Sequence, residues 1–281
     1  FLLKGIHLLI SFTGLFFVYR LSYLILKDYV YALLIALFIC TSTVYNFYAF
    51  NYLPDTGALG FTLIAWYYVF EYMKSDQKSS IIKAFTFFTL GSLIKVTYLI
   101  NPIAVIVFYA FMALFKRQAL DSLKNKAALF KYFAITILLV FSWNAYMLYY
   151  NQQNESHSFN TTALPIWELS RINIEQIWDY MMNFWYTSYF AHSSFHILLV
   201  LALFQLVFIK KSNYSLSLLT FVLMLGCFTF GLLFYAQFKD HDYYFLTFIP
   251  FVVLILINGI NTFLNLSRHK TVHLITKLTL L

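Results

Sequence analysis

Long apolar runs, broken by short polar stretches, set the organisation of the chain. A helix needs about 20 apolar residues to cross a bilayer core of ~30 Å. Runs of that kind fall at 5–26, 29–46, 55–73, 81–98, 102–115, 132–150, 193–209, 215–236 and 243–264, which makes nine predicted spans. The fourth and fifth come from one long run that Asn101-Pro102 divides, because proline disfavours helix in the residue before it. Between spans, only 151–192 is long enough to hold structure of its own. Within it, Ile174 to Tyr189, with Trp178, Trp185 and Tyr186, reads as an amphipathic helix lying in the membrane interface. The pattern therefore predicts an all-α, polytopic transmembrane bundle forming one integral membrane domain over 1–281.

Composition supports this reading. Charged residues are 11% of the chain and hydrophobic residues 62%, where a soluble domain carries about 25% charged residues to cover its surface. Tyrosine (23) and phenylalanine (33) are abundant, and tyrosine suits the headgroup zone, where one end of the ring is dry and the other wet. A net charge of +8 can signal nucleic acid, but here Lys and Arg sit in short clusters between apolar spans, as topology signals do, so membrane lipids and not nucleic acid are the expected partners. One set of alternate loops carries Arg20, Lys27, Lys74, Lys78, Lys83, Lys116, Arg117, Lys124, Lys126, Lys131, Lys210, Lys211, Arg268, Lys270 and Lys277. The other carries only Lys4, Lys95, Arg171 and Lys239. The first set is expected on the cytoplasmic side. Asp55, Glu155, Glu168, Glu175, Asp179, Asp240 and Asp242 gather on the opposite, outer face, so a polar site is expected there. Asn154-Glu155-Ser156 and Asn160-Thr161-Thr162 match the glycosylation acceptor pattern, which matters only in a eukaryotic cell.

Three outer segments carry candidate chemistry. Asn51-Tyr52-Leu53-Pro54-Asp55-Thr56 opens the third span, and Pro followed by an acid suits a helix start, with Asp55 as a cap in the plain reading. Leu93-Ile94-Lys95-Val96 sets a lysine beside apolar stretches, at about 2.5–3.5 kcal/mol for a helix centre unless it pairs or snorkels to the interface. Gln237 to Tyr244 forms a dense polar turn, with Lys239, Asp240, His241, Asp242, Tyr243 and Tyr244, ahead of a span containing Pro250. A wet surface loop with interfacial tyrosines explains that turn equally well. His7, His192 and His196 read as packing or interface residues, and Cys40 and Cys227 as small buried hydrophobes. The chain has no Walker-type Gly-Lys motif, no Gly-Xaa-Ser-Xaa-Gly elbow and no Cys/His metal spacing, so no metal ligands are predicted.

Leu53-Pro54-Asp55, Leu93-Ile94-Lys95 and His241-Asp242-Tyr243-Tyr244 running to Pro250 together resemble the GT-C membrane glycosyltransferases. The branch most similar is that of the dolichyl-phosphate-mannose protein mannosyltransferases, glycosyltransferase family 39, and the aminoarabinose transferase of lipid A. The resemblance implies transfer of a sugar from a polyprenyl-phosphate lipid donor to a glycan, lipid or protein acceptor, on the periplasmic or lumenal face. It favours a bacterial inner membrane over the endoplasmic reticulum. It makes Asp55 and His241 the catalytic residues, with Lys95, Lys239, Asp242, Tyr243 and Tyr244 binding substrate. Fixed cations would stabilise charge on the departing phosphate, and a carboxylate would orient and deprotonate the acceptor. The cofactor is undetermined, with a divalent metal left open. Val96 follows Lys95 where many relatives have glycine. The family's main carboxylate belongs to a first outer loop after a first span, and since the sequence opens at Phe1 inside an apolar stretch, both are expected upstream. The rival expectations are a lipid or sugar transporter, with broken helices near the midplane, and a non-catalytic membrane subunit.

Overall fold

A computed structural model describes residues 2–51, 53–115, 125–157 and 163–267. Tyr52, Lys116, Arg117, Asp121, Lys124, Asn160, Thr161, Thr162, Arg268, Lys270 and Lys277 lie outside the described residues. The architecture is all-α, as the apolar periodicity predicts. The helices are α1 (Leu2–Leu26), α2 (Tyr29–Ile39), α3 (Thr43–Phe50), α4 (Pro54–Ser75), α5 (Lys78–Ile94), α6 (Ile100–Phe115) and α7 (Lys126–Gln153). They continue with α8 (Arg171–Tyr189), α9 (His192–Val207), α10 (Tyr214–Leu233) and α11 (Ile249–Leu266).

Among the described residues, five helical stretches are long and apolar enough to cross a membrane: Leu2–Leu26, Val96–Phe115, Lys126–Gln153, Tyr214–Leu233 and Asp242–Leu266. Two bent pairs raise the number to seven, α2 with α3 at 72° and α8 with α9 at 91°. Large apolar side chains such as Leu9, Phe16, Leu138, Phe141, Val200 and Phe228 face outward, which is compatible with a multi-pass membrane protein. Two predicted spans, α4 and α5, fall outside that set. The 22-residue α4 carries Asp55, Glu71 and Lys74, and α5 is only 17 residues long.

The centre of the bundle is α4, buried on most of its surface and flanked by α1 and α5. Glycines bring these backbones together. A Cβ on Gly14 of α1 would lie 2.7 Å from Gly60 Cα in α4, and one on Gly91 of α5 would lie 2.9 Å from the Ala58 carbonyl oxygen. Small residues at helix crossings permit such close approach in an apolar medium. Side chains start several helices: Asp28 accepts from the Val30 and Tyr31 amides, Ser42 from Tyr45, and Asn213 from Leu216.

The break between α5 and α6 falls at Lys95, not at Asn101-Pro102. Lys95 is extended (φ −146°, ψ 116°) and a 3₁₀ turn, Val96–Leu99, follows it. Pro102 sits in the first turn of α6, where a missing N–H costs nothing. Asn101 is helical and its side chain is anchored: it accepts from Trp66 Nε1 at 2.8 Å and donates to the Tyr98 carbonyl at 3.0 Å. Pro250 likewise starts α11 and does not interrupt it. Cys40 and Cys227 are free thiols, partly and fully buried.

Candidate functional site

Asp55, Lys95 and the turn before α11 meet at one end of the bundle. Pro54 fixes the first turn of α4, and Leu53 before it provides no side-chain cap. The Asp55 carboxylate engages Lys95: Nζ lies 2.5 Å from Oδ1, with the side chains 13% and 5% exposed. The helix break makes this contact, since it turns Lys95 out of the α5 ladder while its amide still donates to Gly91. The plain alternatives, Asp55 as a cap and Lys95 snorkelling to the interface, give way to one buried ion pair.

The same ammonium lies 4.6 Å from the ring centre of Tyr243 and 4.3 Å from that of Tyr244. A dry cation over tyrosine faces gains about 2 kcal/mol or more. The two tyrosines stand in a 3₁₀ segment, Asp242–Phe248, that leads into α11. His241 packs against both, at ring-centre distances of 5.1 and 5.8 Å. Asp242 accepts a hydrogen bond from Tyr48 Oη at 2.6 Å, and the Tyr48 ring meets Tyr243 edge-on. The turn is therefore folded against the cluster, with Tyr244 buried.

Lys239 differs from its neighbours. It is exposed, and its backbone carbonyl, which accepts from Trp185 Nε1 at 3.2 Å, ties the turn to α8. Trp185 closes a π-helical turn, Met181–Trp185, inside α8. The structure thus brings together Asp55, Lys95, Asp242, Tyr243 and Tyr244, with His241 beside them and Lys239 at the rim.

Three further residues hold the cluster. Tyr98 donates to the Asp55 carbonyl at 3.0 Å. His7 Nε2 lies 2.5 Å from Thr56 Oγ1, both residues being buried, which ties α1 to the first turn of α4 beside Asp55. Tyr48 holds Asp242. The only sequence signal for Tyr48 and Tyr98 is a phenol close to a polar motif, and nothing local links His7 to a threonine 49 positions away.

Two apolar clefts flank the cluster. One, of about 450 Å³, runs between Val96–Val107 and α10 and ends at Phe230 and Phe234, which pack against Tyr244. The other, of about 400 Å³, lies among α8, α10 and Phe238, Phe245 and Phe248. Among the described residues, no group of three or more His, Cys, Asp or Glu is arranged to hold a metal ion. Comparison with family models, with curated proteins and with solved structures returned no match.

Proposed function

We propose that this chain carries the membrane core of a glycosyltransferase that moves a sugar from a polyprenyl-phosphate donor to an acceptor hydroxyl on the outer face. One observation supports it most: three motifs far apart in sequence converge on a dry, charged, aromatic-walled cluster between apolar clefts. The nine-span, GT-C-like topology belongs to this proposal, with α4 and α5 as the two spans whose polar groups are shielded by neighbouring helices. Contacts between helix ends support the topology. Asn125 donates to the Asp76 carbonyl and Asn265 to that of Lys211, so segments assigned to the basic, cytoplasmic side lie together.

In the reaction, the acceptor oxygen attacks the anomeric carbon and the carbon–phosphate-oxygen bond breaks, the phosphate leaving with the electron pair. Lys95 stabilises the charge that develops there, in a site dry enough for a fixed cation to matter. Asp55 orients Lys95, and His241 donates to the leaving oxygen. Of the cluster's two carboxylates, Asp242 is held by a neutral phenol, which leaves it the better placed to receive the hydroxyl proton. An apolar cleft takes the polyprenyl chain. Lys239 attracts the donor phosphate from the rim.

The test is transfer by the full-length protein in proteoliposomes supplied with radiolabelled polyprenyl-phosphate sugars. Label is expected in acceptor material, and substitution of Asp55 or Lys95 should abolish it. Absence of transfer from every donor, with an intact size-exclusion profile, would overturn the reading. A second reading, a transporter, draws on the helix break at Lys95 and the two bent helix pairs. Its signature is donor or sugar crossing the bilayer without covalent transfer.

A further inference from the structure

A cleft of about 640 Å³, larger than either of those beside the Asp55–Lys95 cluster and sharing no residue with them, lies between α2 and α9. Both helices pack on α11 and stand apart from each other, so α11 forms the floor. Ile35, Leu256 and Ile260 are buried there, while Leu37 and Val200 on the two rims are exposed. Its lining on α2 runs from Tyr31 to Thr41, roughly 15 Å at a rise of about 1.5 Å per residue. That is the reach of one lipid chain, half of a hydrocarbon core ~30 Å thick.

The polar groups of the cleft collect at one end. There α2 bends into α3 at Thr41, and α8 bends into α9 just before Ser194 and His196. Phe38 and Phe190 join the two bends, with ring centres 5.1 Å apart. Ser194 is 7% exposed and lines the cleft, and its hydroxyl has no partner among the described residues. Thr41 differs, since its hydroxyl donates to the Phe38 carbonyl at 2.7 Å. No Asp, Glu, Lys or Arg lines the cleft.

We propose that this cleft binds one ester-linked chain of a membrane glycerophospholipid, with the ester group at Ser194 and His196. The inference rests on the multi-pass membrane reading and is independent of the transferase activity. In hydrocarbon, an apolar cleft excludes water and forfeits dispersion contacts if left empty, so a lipid chain fills it. The mouth then decides which part of the lipid it meets. A serine hydroxyl and an imidazole N–H donate and an ester carbonyl accepts, whereas a phosphate finds no cation there. Recognition is therefore of the chain and its ester, with the headgroup left outside.

The experiment is a lipid titration of the full-length protein in neutral detergent, read by native mass spectrometry. The probes are a phosphatidylcholine, a phosphatidylglycerol with the same chains, and the diether analogue of the phosphatidylcholine. The two ester lipids should fill one saturable site alike, and the diether should bind about fivefold more weakly, the worth of one hydrogen bond. Ser194→Ala should weaken the ester lipid by that factor and leave the diether unchanged. Val200→Trp closes a rim without altering charge and should abolish the saturable site. Gly226→Leu, which fills the cleft between α6 and α10, where a Cβ has room, should leave it intact. Binding that never saturates, or equal losses in Val200→Trp and Gly226→Leu, would mean annular lipid only and overturn the proposal. A preference for phosphatidylglycerol, or a diether that binds as tightly as the ester lipid, would overturn the ester assignment. A lipid-free dimer dissociated by Val200→Trp would overturn the proposal by giving the cleft to a second copy of the chain. If Val200→Trp fails to fold, the ester–ether comparison between wild type and Ser194→Ala decides alone.

Discussion

Two buried polar regions of the bundle solve the same problem in opposite ways. Near the basic end, Asn258 of α11 donates to Gln205 of α9 at 2.8 Å and to Ser217 of α10 at 3.1 Å, while Gln205 donates to the Ile255 carbonyl at 2.9 Å. Every group is neutral, every helix is regular, and Gly259 lets α9 approach closely enough for the amides to meet. At the other end, Asp55 and Lys95 form an ion pair, sit at a helix start and a helix break, and Lys95 faces two aromatic rings. A neutral, mutually satisfied network in an apolar medium holds helices together. A charged pair at irregular backbone is costly there, and such pairs mark places where a charge is used.

Separating those roles calls first for the ion pair. Lys95→Met leaves Asp55 buried without its cation, and the expected outcome is a loss of about 3–5 kcal/mol of stability, read by thermal unfolding in detergent. Asp55→Leu combined with Lys95→Met should recover most of that stability, since two apolar side chains replace a buried pair with little penalty. Activity should not recover, staying at least ~100-fold below wild type, the scale of a positioned acid or base. A double variant that folds and transfers sugar normally would make the pair as structural as the amide network.

Tyr48→Phe removes one hydroxyl and the bond to Asp242. Turnover is expected to fall about tenfold, about 1.4 kcal/mol of transition-state stabilisation, with a loss of stability of at most about 1–3 kcal/mol for the missing hydrogen bond. His241→Ala should lower kcat, whereas Lys239→Ala should mainly raise KM by a few-fold, because an exposed ammonium attracts the donor equally before and during reaction. Steady-state kinetics on both variants separates ring from rim, and a kcat effect at Lys239 would contradict its placement. The smallest effect belongs to the neutral network. Asn258→Leu should cost about 1 kcal/mol of stability and leave turnover as it was.

The sequence made much of the fold legible and less of the site. Runs of apolar residues located the helices, and Leu53-Pro54 correctly marked the start of α4. Local rules place the break before α6 at Asn101-Pro102 because they see the proline. They do not see Trp66, whose indole anchors the side chain of a helical Asn101. Asp55 looked like a cap for the same reason: capping is local, while its actual partner Lys95 comes from the far end of the next helix. Lys239 and Lys95 look alike as isolated cations between spans, and only tertiary packing makes one exposed and the other largely enclosed, with its side chain 13% exposed. His7 and Thr56 show the limit most plainly, since the Gly14–Gly60 crossing that aligns their helices has no signature in either segment alone.

The Asp55–Lys95 pair also bears on how the protein enters its membrane. Asp55 begins α4, Lys95 ends α5, and the two helices form a hairpin that turns at Asp76 in a left-handed conformation. On the nine-span topology, the leading charge of the hairpin and its trailing charge both have to reach the outer side. Carried separately, each would be an ion moved through hydrocarbon. Carried by a hairpin closed by the approach of Gly91 to Ala58, they would cross as an opposite pair, with no net charge moved at that end. The residues assigned to catalysis would then also set the order of biogenesis: α4 and α5 insert as one unit, and a variant that breaks the pair shows its first defect in the amount of protein integrated, before any enzyme can be assayed.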